Sequence, residues 1–146
     1  MVEVRPATIF DCSHLYAMLV QMHNEADIKL AEINPIKFSE TVSRAVTHGV
    51  VLVAVEDKKI IGSIGGMSST EWWSDEPLLG DLWFYVYPAH RVSRAAIMLI
   101  RKFLDVGKGM HIKLGHIYGG DKPRKDHFYA KLGLSLAGST YILEKT

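Results

Sequence analysis

Hydrophobic positions recur at helical spacing in several parts of the chain. Thr8 followed by Asp11 is a variant capping box, and the residues behind it are apolar at i, i+3, i+4 and i+7. The pair Asn34-Pro35 is typical of a second helix start, and Gly49 of its end. The four predicted helices begin at Thr8, Asn34, Ala95 and Pro123, and the last runs to Leu132 between a capping Asp121 and a closing Gly133.

Strand-like runs of apolar and β-branched residues alternate with these helices. The turn Asp57-Lys58-Lys59 joins two of them into an antiparallel hairpin. Three glycines in its second strand, Gly62, Gly65 and Gly66, indicate a bulge or a close approach by another group. The pattern predicts a mixed α/β sheet. Its expected strands are Val2–Arg5, Val50–Val55, Ile60–Met67, Asp81–Val86, Met110–Tyr118 and about Ser139–Lys145.

Composition narrows the function classes. The 146 residues fit one domain, 1–146, with 48% apolar and 23% charged residues and a net charge of +1. That charge favours neither nucleic acid nor an anionic membrane, and no apolar run approaches a membrane span. Cys12, the single cysteine, excludes an internal disulfide, and the N-terminus lacks a signal-peptide core, so a cytoplasmic protein is expected. No His/Cys metal motif is present, so no metal site is expected.

The segment DLWFYVYPAHRVSRAA, residues 81–96, indicates an anion site. A strand runs into Pro88 and a basic turn, and small residues then open a helix whose first N–H groups lack partners within it. Arg91 and Arg94 add charge and Ser93 a hydroxyl, while Ala95 and Ala96 allow close approach. These features predict a phosphate site, with a solvated turn as the alternative.

Two signatures in the chain resemble those of the GNAT family of acyl-CoA-dependent N-acyltransferases, and the resemblance extends over nearly the whole chain. The first, V-x-P-x-x-R-x-x-G-x-G/A, is met by Val86, Pro88, Arg91 and Ala96, with Arg94 where the family usually has a glycine. The second, F/L-Y-x-K/R-x-G-F, is met by Phe128, Tyr129, Lys131 and Gly133, with Leu134 last. The compact phosphate turn is similar to that of phage-type members.

The resemblance implies an α+β fold of one domain, with a twisted, mainly antiparallel sheet of six to seven strands and about four helices. It also implies acetyl-CoA as acyl donor, direct attack by an amine, and no covalent enzyme intermediate. Tyr129 would protonate the thiolate, and an N–H at a strand bulge near Tyr85 or Val86 would stabilise the oxyanion. The expected donor site comprises the backbone at Phe84, Tyr85 and Val86, the turn residues Arg91, Val92, Ser93, Arg94, Ala95 and Ala96, and Phe128, which is expected to pack in the core.

Acidic and aromatic residues at and just before the start of the predicted strand Asp81–Val86 indicate an acceptor site. Asp81 is a candidate base for an ammonium acceptor, and a loop carries Glu71, Asp75 and Glu76. Of Trp72 and Trp73, one is expected to plug the core and the other to line the acceptor pocket; alternatively, both pack on the sheet edge. Glu25 and Asp27 are expected at the mouth of the acceptor site.

These residues predict a cationic amine acceptor, which is either a small molecule or a protein. The protein itself is expected to be a monomer or a homodimer. The rival interpretation is a GNAT-like domain that binds CoA weakly or not at all and acts through a protein partner. Departures from the family pattern at Arg94, Leu134 and Lys122 motivate it.

Overall fold

The computed structural model describes residues 1–115 and 122–145. Five strands and four helices occur in the described chain, together with short 3₁₀ turns at Ile9–Asp11 and Pro88–His90. In chain order they are β1 Glu3–Pro6, α1 Cys12–Glu25, α2 Pro35–His48, β2 Val50–Glu56, β3 Lys59–Ser69, β4 Leu78–Val86, α3 Ala95–Val106, β5 His111–Lys113 and α4 Lys122–Lys131.

The five strands form one mixed sheet in the order β1-β2-β3-β4-β5. The first four are antiparallel neighbours, and β5 runs parallel to β4. Helices α1 and α2 cover one face, where Leu15, Met18 and Val42 pack on the sheet. Helix α3 covers the other face through Leu99 and Phe103, and α4 packs beside it. The predicted mixed, mainly antiparallel sheet with four helices is confirmed.

Local signals place the helix starts as predicted. The Thr8 side chain accepts the Phe10 N–H, and the Asp11 carboxylate accepts the Thr8 N–H at 2.8 Å, which completes the capping box. Arg5 donates to both Asp11 oxygens, at 2.8 and 3.0 Å, and these bonds lower the pKa of Asp11. Asn34 accepts from two N–H groups at the start of α2.

A β-bulge changes which residues of β4 face each side of the sheet. Gly65 pairs with Trp83 and Gly66 with Asp81, so Leu82 has no partner on β3. Before the bulge, Leu79 packs on the α3 face. After it, Phe84 does, while Trp83 lies on the α1 and α2 face. The bulge therefore puts Asp81 on the same face as Phe84, which regular alternation would have prevented.

The bulge predicted near Tyr85 or Val86 is at Leu82 instead. The bulge can form at Leu82 because the paired positions on β3, Gly65 and Gly66, are glycines. The indole of Trp83 covers Gly65, and its Nε1 donates to the buried Ser63 hydroxyl at 3.0 Å. A Cβ at Gly66 would lie 2.7 Å from Cζ of Phe103 and closer still to the carbonyl oxygen of Gly80.

The sheet differs from expectation at its C-terminal side. Residues 135–145 form no strand, so the prediction of a strand at Ser139–Lys145 is wrong and the described sheet has five strands, not six to seven. Tyr141 and Leu143 are 94% and 97% exposed. An alternating pattern specifies a strand only where a partner strand accepts its hydrogen bonds, and none described pairs here. Strand β5 is also shorter than Met110–Tyr118, and part of that range, like Asp121, lies outside the described residues. None of the helices in residues 1–115 and 122–145 is long and apolar enough to cross a membrane.

Substitution Gly66→Ala is expected to lower the free energy of unfolding by about 1–3 kcal/mol, because the new methyl group would overlap Phe103 and the Gly80 carbonyl. Urea unfolding followed by tryptophan fluorescence measures this. Gly138→Ala is the matched control, since a Cβ there meets no atom within 4 Å. Equal effects of the two substitutions would contradict the packing assigned to the bulge.

Candidate active site

Over its second half, one edge of β4 has no neighbouring strand among the described residues, and we call it the open edge. Strand β5 pairs with β4 only at Leu78–Gly80, and no described strand continues alongside β4 as far as Val86. The Tyr87 N–H donates to the Ile61 carbonyl at 2.9 Å, toward β3. Because backbone groups of a strand alternate in direction, those of Phe84 and Val86 point to the open edge. Arg91 confirms this direction, since its Nε donates to the Val86 carbonyl at 2.9 Å.

The open edge leads into the start of α3. The first backbone hydrogen bond of this helix runs from the Met98 N–H to the Arg94 carbonyl at 3.0 Å, so the Ala96 and Ile97 N–H groups have no partner within the helix. The Ser93 hydroxyl accepts the Ala95 N–H at 3.2 Å and donates to His90 at 2.6 Å, which fixes the turn. The structure therefore gives the predicted anion site a helix start with unpaired N–H groups.

Arginine fits at position 94, where the GNAT signature has glycine. Arg94 has φ −82° and ψ 3°, which any residue adopts, so the turn does not need glycine for its backbone conformation. Its side chain and that of Val92 are exposed at the turn. An exposed guanidinium beside unpaired N–H groups adds positive charge to this turn.

Arg91 is held in contacts that the sequence analysis did not predict. Its Nη2 donates to Glu25 at 3.1 Å, and its guanidinium carbon lies 5.3 Å from the centre of the Tyr85 ring. The Tyr85 hydroxyl also donates to Glu25 and accepts from Gln21 at 3.2 Å. Burial, followed by the Glu25 contact, raises the pKa of Tyr85 to about 12. The end of α1 is thereby tied to the turn before α3.

Asp81 and Tyr129 lie near one another on the α3 face. The Asp81 carboxylate accepts the Gly115 N–H at 2.9 Å, and burial raises its pKa to about 6. Tyr129 is half-buried against the α3 cluster, with its ring 5.2 Å from that of Phe128. Burial and the nearby Asp81 charge raise the pKa of Tyr129. At neutral pH the carboxylate is mostly ionised and the phenol protonated, so one can accept a proton and the other donate one.

Solved acetyltransferase structures share this architecture. A possible acetyltransferase from Clostridium difficile 630 matches with a TM-score of 0.73 at 12% identity, covering 100% of this chain and 98% of that one. The chain has the GNAT fold. AAC(6')-Iy, in complex with the bisubstrate analogue CoA-S-monomethyl-acetylneamine, gives a TM-score of 0.72 at 13% identity, with coverage of 100% and 99%. Ribosomal-protein-alanine N-acetyltransferase from Brucella melitensis biovar Abortus 2308 gives 0.71 at 16%, with the same coverage.

These matches are of structure rather than of sequence. No family model matches the chain, and no curated protein matches it significantly in sequence.

The loop before β4 in this GNAT fold presents its tryptophans to solvent. Trp72 and Trp73 are 91% and 67% exposed, with ring centres 5.3 Å apart. The expectation that one of them plugs the core is wrong, and these exposures also contradict the alternative that both pack on the sheet edge. Trp83, by contrast, is buried in the core against Gly65.

The acidic residues of this loop are partly neutralised. Glu71 contacts Lys113 at 2.6 Å, and Glu76 lies 3.3 Å from His111, which ties the loop to β5. Two of the three carboxylates of this loop, at Glu71 and Glu76, therefore have basic partners on β5. Among the described residues, no group of three His, Cys, Asp or Glu side chains could hold a metal ion.

Lys125 of α4, which lies near Arg91 of the turn before α3, was not predicted from the sequence. Burial and the nearby Arg91 charge lower the pKa of Lys125. Gln21, the partner of the Tyr85 hydroxyl, was not predicted either. No local pattern marks either residue, because their positions depend on how α4 and α1 pack on the sheet.

Asp81 is expected to make stability depend on pH. Its pKa in the folded protein, about 6, exceeds the ordinary 3.8, so the folded state binds the proton more tightly. That stabilisation is complete below pH 3.8 and is lost as pH rises through 6. The free energy of unfolding of Asp81→Asn, relative to that of the wild type, should therefore be higher at pH 7.5 than at pH 4. The expected difference is about 1–2 kcal/mol, allowing for solvent screening.

Urea unfolding at the two pH values measures this difference. Asp105→Asn, at an exposed position of α3, is the control and should show no such gain. An Asp81→Asn effect that is the same at both pH values would show that the Asp81 pKa is not raised.

Proposed function

We propose that the protein is an N-acyltransferase that moves an acetyl group from acetyl-CoA to a primary amine. The observation that supports this most strongly is the open edge of β4, whose outward backbone groups at Phe84 and Val86 lead to the unpaired N–H groups of α3. A pantetheine chain carries amides that can pair with such an edge, and it ends in a diphosphate that suits a helix start.

The acetyltransferase neighbours support the choice of donor. One of them, of the same fold over its whole length, is in complex with an analogue that joins CoA to an acetylated amine. In this chain the donor diphosphate would meet the Ala96 and Ile97 N–H groups, with Arg94 adding a charge-assisted contact. The acetyl thioester would then lie farther along β4, toward Asp81 and Tyr129.

The reaction we propose is direct transfer. The neutral amine attacks the thioester carbonyl carbon, a C–N bond forms, and the C–S bond breaks. Asp81 accepts one proton from the acceptor's ammonium group before the attack, and Tyr129 donates one to the departing thiolate. The attacking nitrogen loses its second proton as the C–S bond breaks, and that proton restores the Tyr129 phenol. An outward N–H of β4 stabilises the developing oxyanion. The raised pKa of Tyr129 keeps the phenol protonated until the thiolate forms.

The acceptor we propose is a cationic amine. Trp72 and Trp73 present exposed aromatic faces that can hold an ammonium group, and carboxylates at Glu71, Asp75 and Glu76 surround them in sequence. Glu71 reaches Lys113, which pairs with Gly80 next to Asp81, so this loop adjoins the proposed acyl site. The aminoglycoside and protein acetyltransferases among the neighbours leave both small and protein acceptors in the proposal.

Neutralising the loop should weaken the acceptor interaction. The double change Glu71→Gln and Glu76→Gln leaves Lys113 without its carboxylate partner and should raise the acceptor KM roughly fivefold at low salt, with the KM of acetyl-CoA unchanged. Steady-state kinetics by thiol release over a panel of amines measures both constants. The double change Glu40→Gln and Glu144→Gln removes the same charge elsewhere and should have no effect. The proposal of a cationic acceptor is contradicted if the preferred acceptor is anionic. It is also contradicted if the acceptor KM changes neither with salt nor with the loop charge.

Tyr129→Phe should lower kcat by about 10²–10⁴-fold, because the thiolate then leaves without its proton donor. Acetyl-CoA affinity should change little, since the ring remains. Thiol release under saturating substrates measures turnover, and calorimetry measures affinity. Tyr141→Phe, at an exposed position, is the control and should retain full activity. Full turnover in Tyr129→Phe, with chemistry rate-limiting, would make Tyr129 a packing residue only.

A further inference from the structure

Arg91 joins the open edge of β4 to the end of α1. Its Nε donates to the Val86 carbonyl on the open edge, and its Nη2 donates to Glu25 at the end of α1. Between these contacts the guanidinium lies over the Tyr85 ring, whose hydroxyl also donates to Glu25. The arginine that the sequence analysis assigned to the donor phosphates is therefore bound to a carboxylate.

Glu25 is a partner that can be given up. In the Arg91–Glu25 pair, the side chains are 50% and 35% exposed, and exposed ion pairs of this kind contribute little to stability. The carboxylate retains the Tyr85 hydroxyl as a donor if Arg91 leaves. A diphosphate carries more charge than a carboxylate and offers more acceptor oxygens to a guanidinium.

From this geometry we propose that Glu25 competes with the donor's diphosphate for Arg91. Donor binding transfers the guanidinium from Glu25 to the diphosphate, and Glu25 therefore lowers donor affinity. This rests on the proposed function, because it takes CoA as the donor. The alternative is that Glu25 orients Arg91 for the phosphate. The two make opposite predictions for the removal of the Glu25 charge.

Calorimetric titration with coenzyme A separates the two roles. Glu25→Gln keeps an oxygen for the Tyr85 hydroxyl but removes the charge that holds Arg91. Competition predicts that this variant binds coenzyme A about two- to fivefold more tightly than the wild type, the range for release from an exposed ion pair. Glu40→Gln makes the same change in net charge on an exposed part of α2 and should bind as the wild type does.

Combining substitutions assigns the effect to Arg91. The gain from Glu25→Gln should vanish in an Arg91→Ala background, where nothing is left to release. It should persist in an Arg94→Ala background, because Arg94 belongs to the same turn but makes no contact with Glu25. Thermal unfolding of each variant shows that all are folded at the titration temperature.

The outcomes also separate this inference from the proposed function. If the wild type fails to bind coenzyme A at millimolar concentration, the proposed function falls. If the wild type binds but Glu25→Gln leaves affinity unchanged or weaker, the proposed function stands and the competition is refuted. A gain that survives in the Arg91→Ala background likewise refutes it.

Discussion

Backbone groups at the open edge of β4 need partners that the described sheet does not supply. The described pairing of β5 with β4 ends at Gly80, while the groups of Phe84 and Val86 point toward the open edge. Exposed strand edges attract other polar chains, and proteins normally cover or block them. Here the edge ends at the start of α3, which adds unpaired N–H groups. The proposed donor site depends on this combination, since it provides polar backbone and positive potential in one line.

The bulge at Leu82 gives this edge its chemical surroundings. It brings Asp81 to the α3 face, where α4 supplies Tyr129, and leaves Trp83 and Tyr85 on the other face. Glycines on β3 allow this change of side, because a Cβ at Gly66 would overlap Phe103. Packing near the centre of the sheet therefore decides which ionisable groups meet at the open edge.

Local signals predicted the parts of this structure that depend on neighbours in sequence. The capping box at Thr8, the helix start at Pro35, the hairpin and the start of α3 all follow from short motifs. Strand formation at residues 135–145 depended on a partner, and the prediction there was wrong.

In the candidate site, too, features that depend on consecutive residues could be predicted, whereas features that depend on distant residues could not. Its turn and the fold could be predicted from two motifs, since the phosphate-turn pattern lies in consecutive residues. The contacts of Arg91 with Glu25 could not, because 66 positions separate them in sequence and no local pattern joins them. Exposure of the loop tryptophans also depended on tertiary packing, which no local pattern records.

Amide hydrogen exchange at single residues tests the central claim most directly. The Phe84 and Val86 amides point to the open edge, whereas those of Trp83 and Tyr85 point toward β3. Exchange measured by NMR should be fast at Phe84 and Val86 and slow at Trp83 and Tyr85. Saturating acetyl-CoA should slow exchange at Phe84 and Val86 and leave the other two amides unchanged. Exchange at Phe84 and Val86 that acetyl-CoA does not slow, in a protein shown to bind it, would contradict the account.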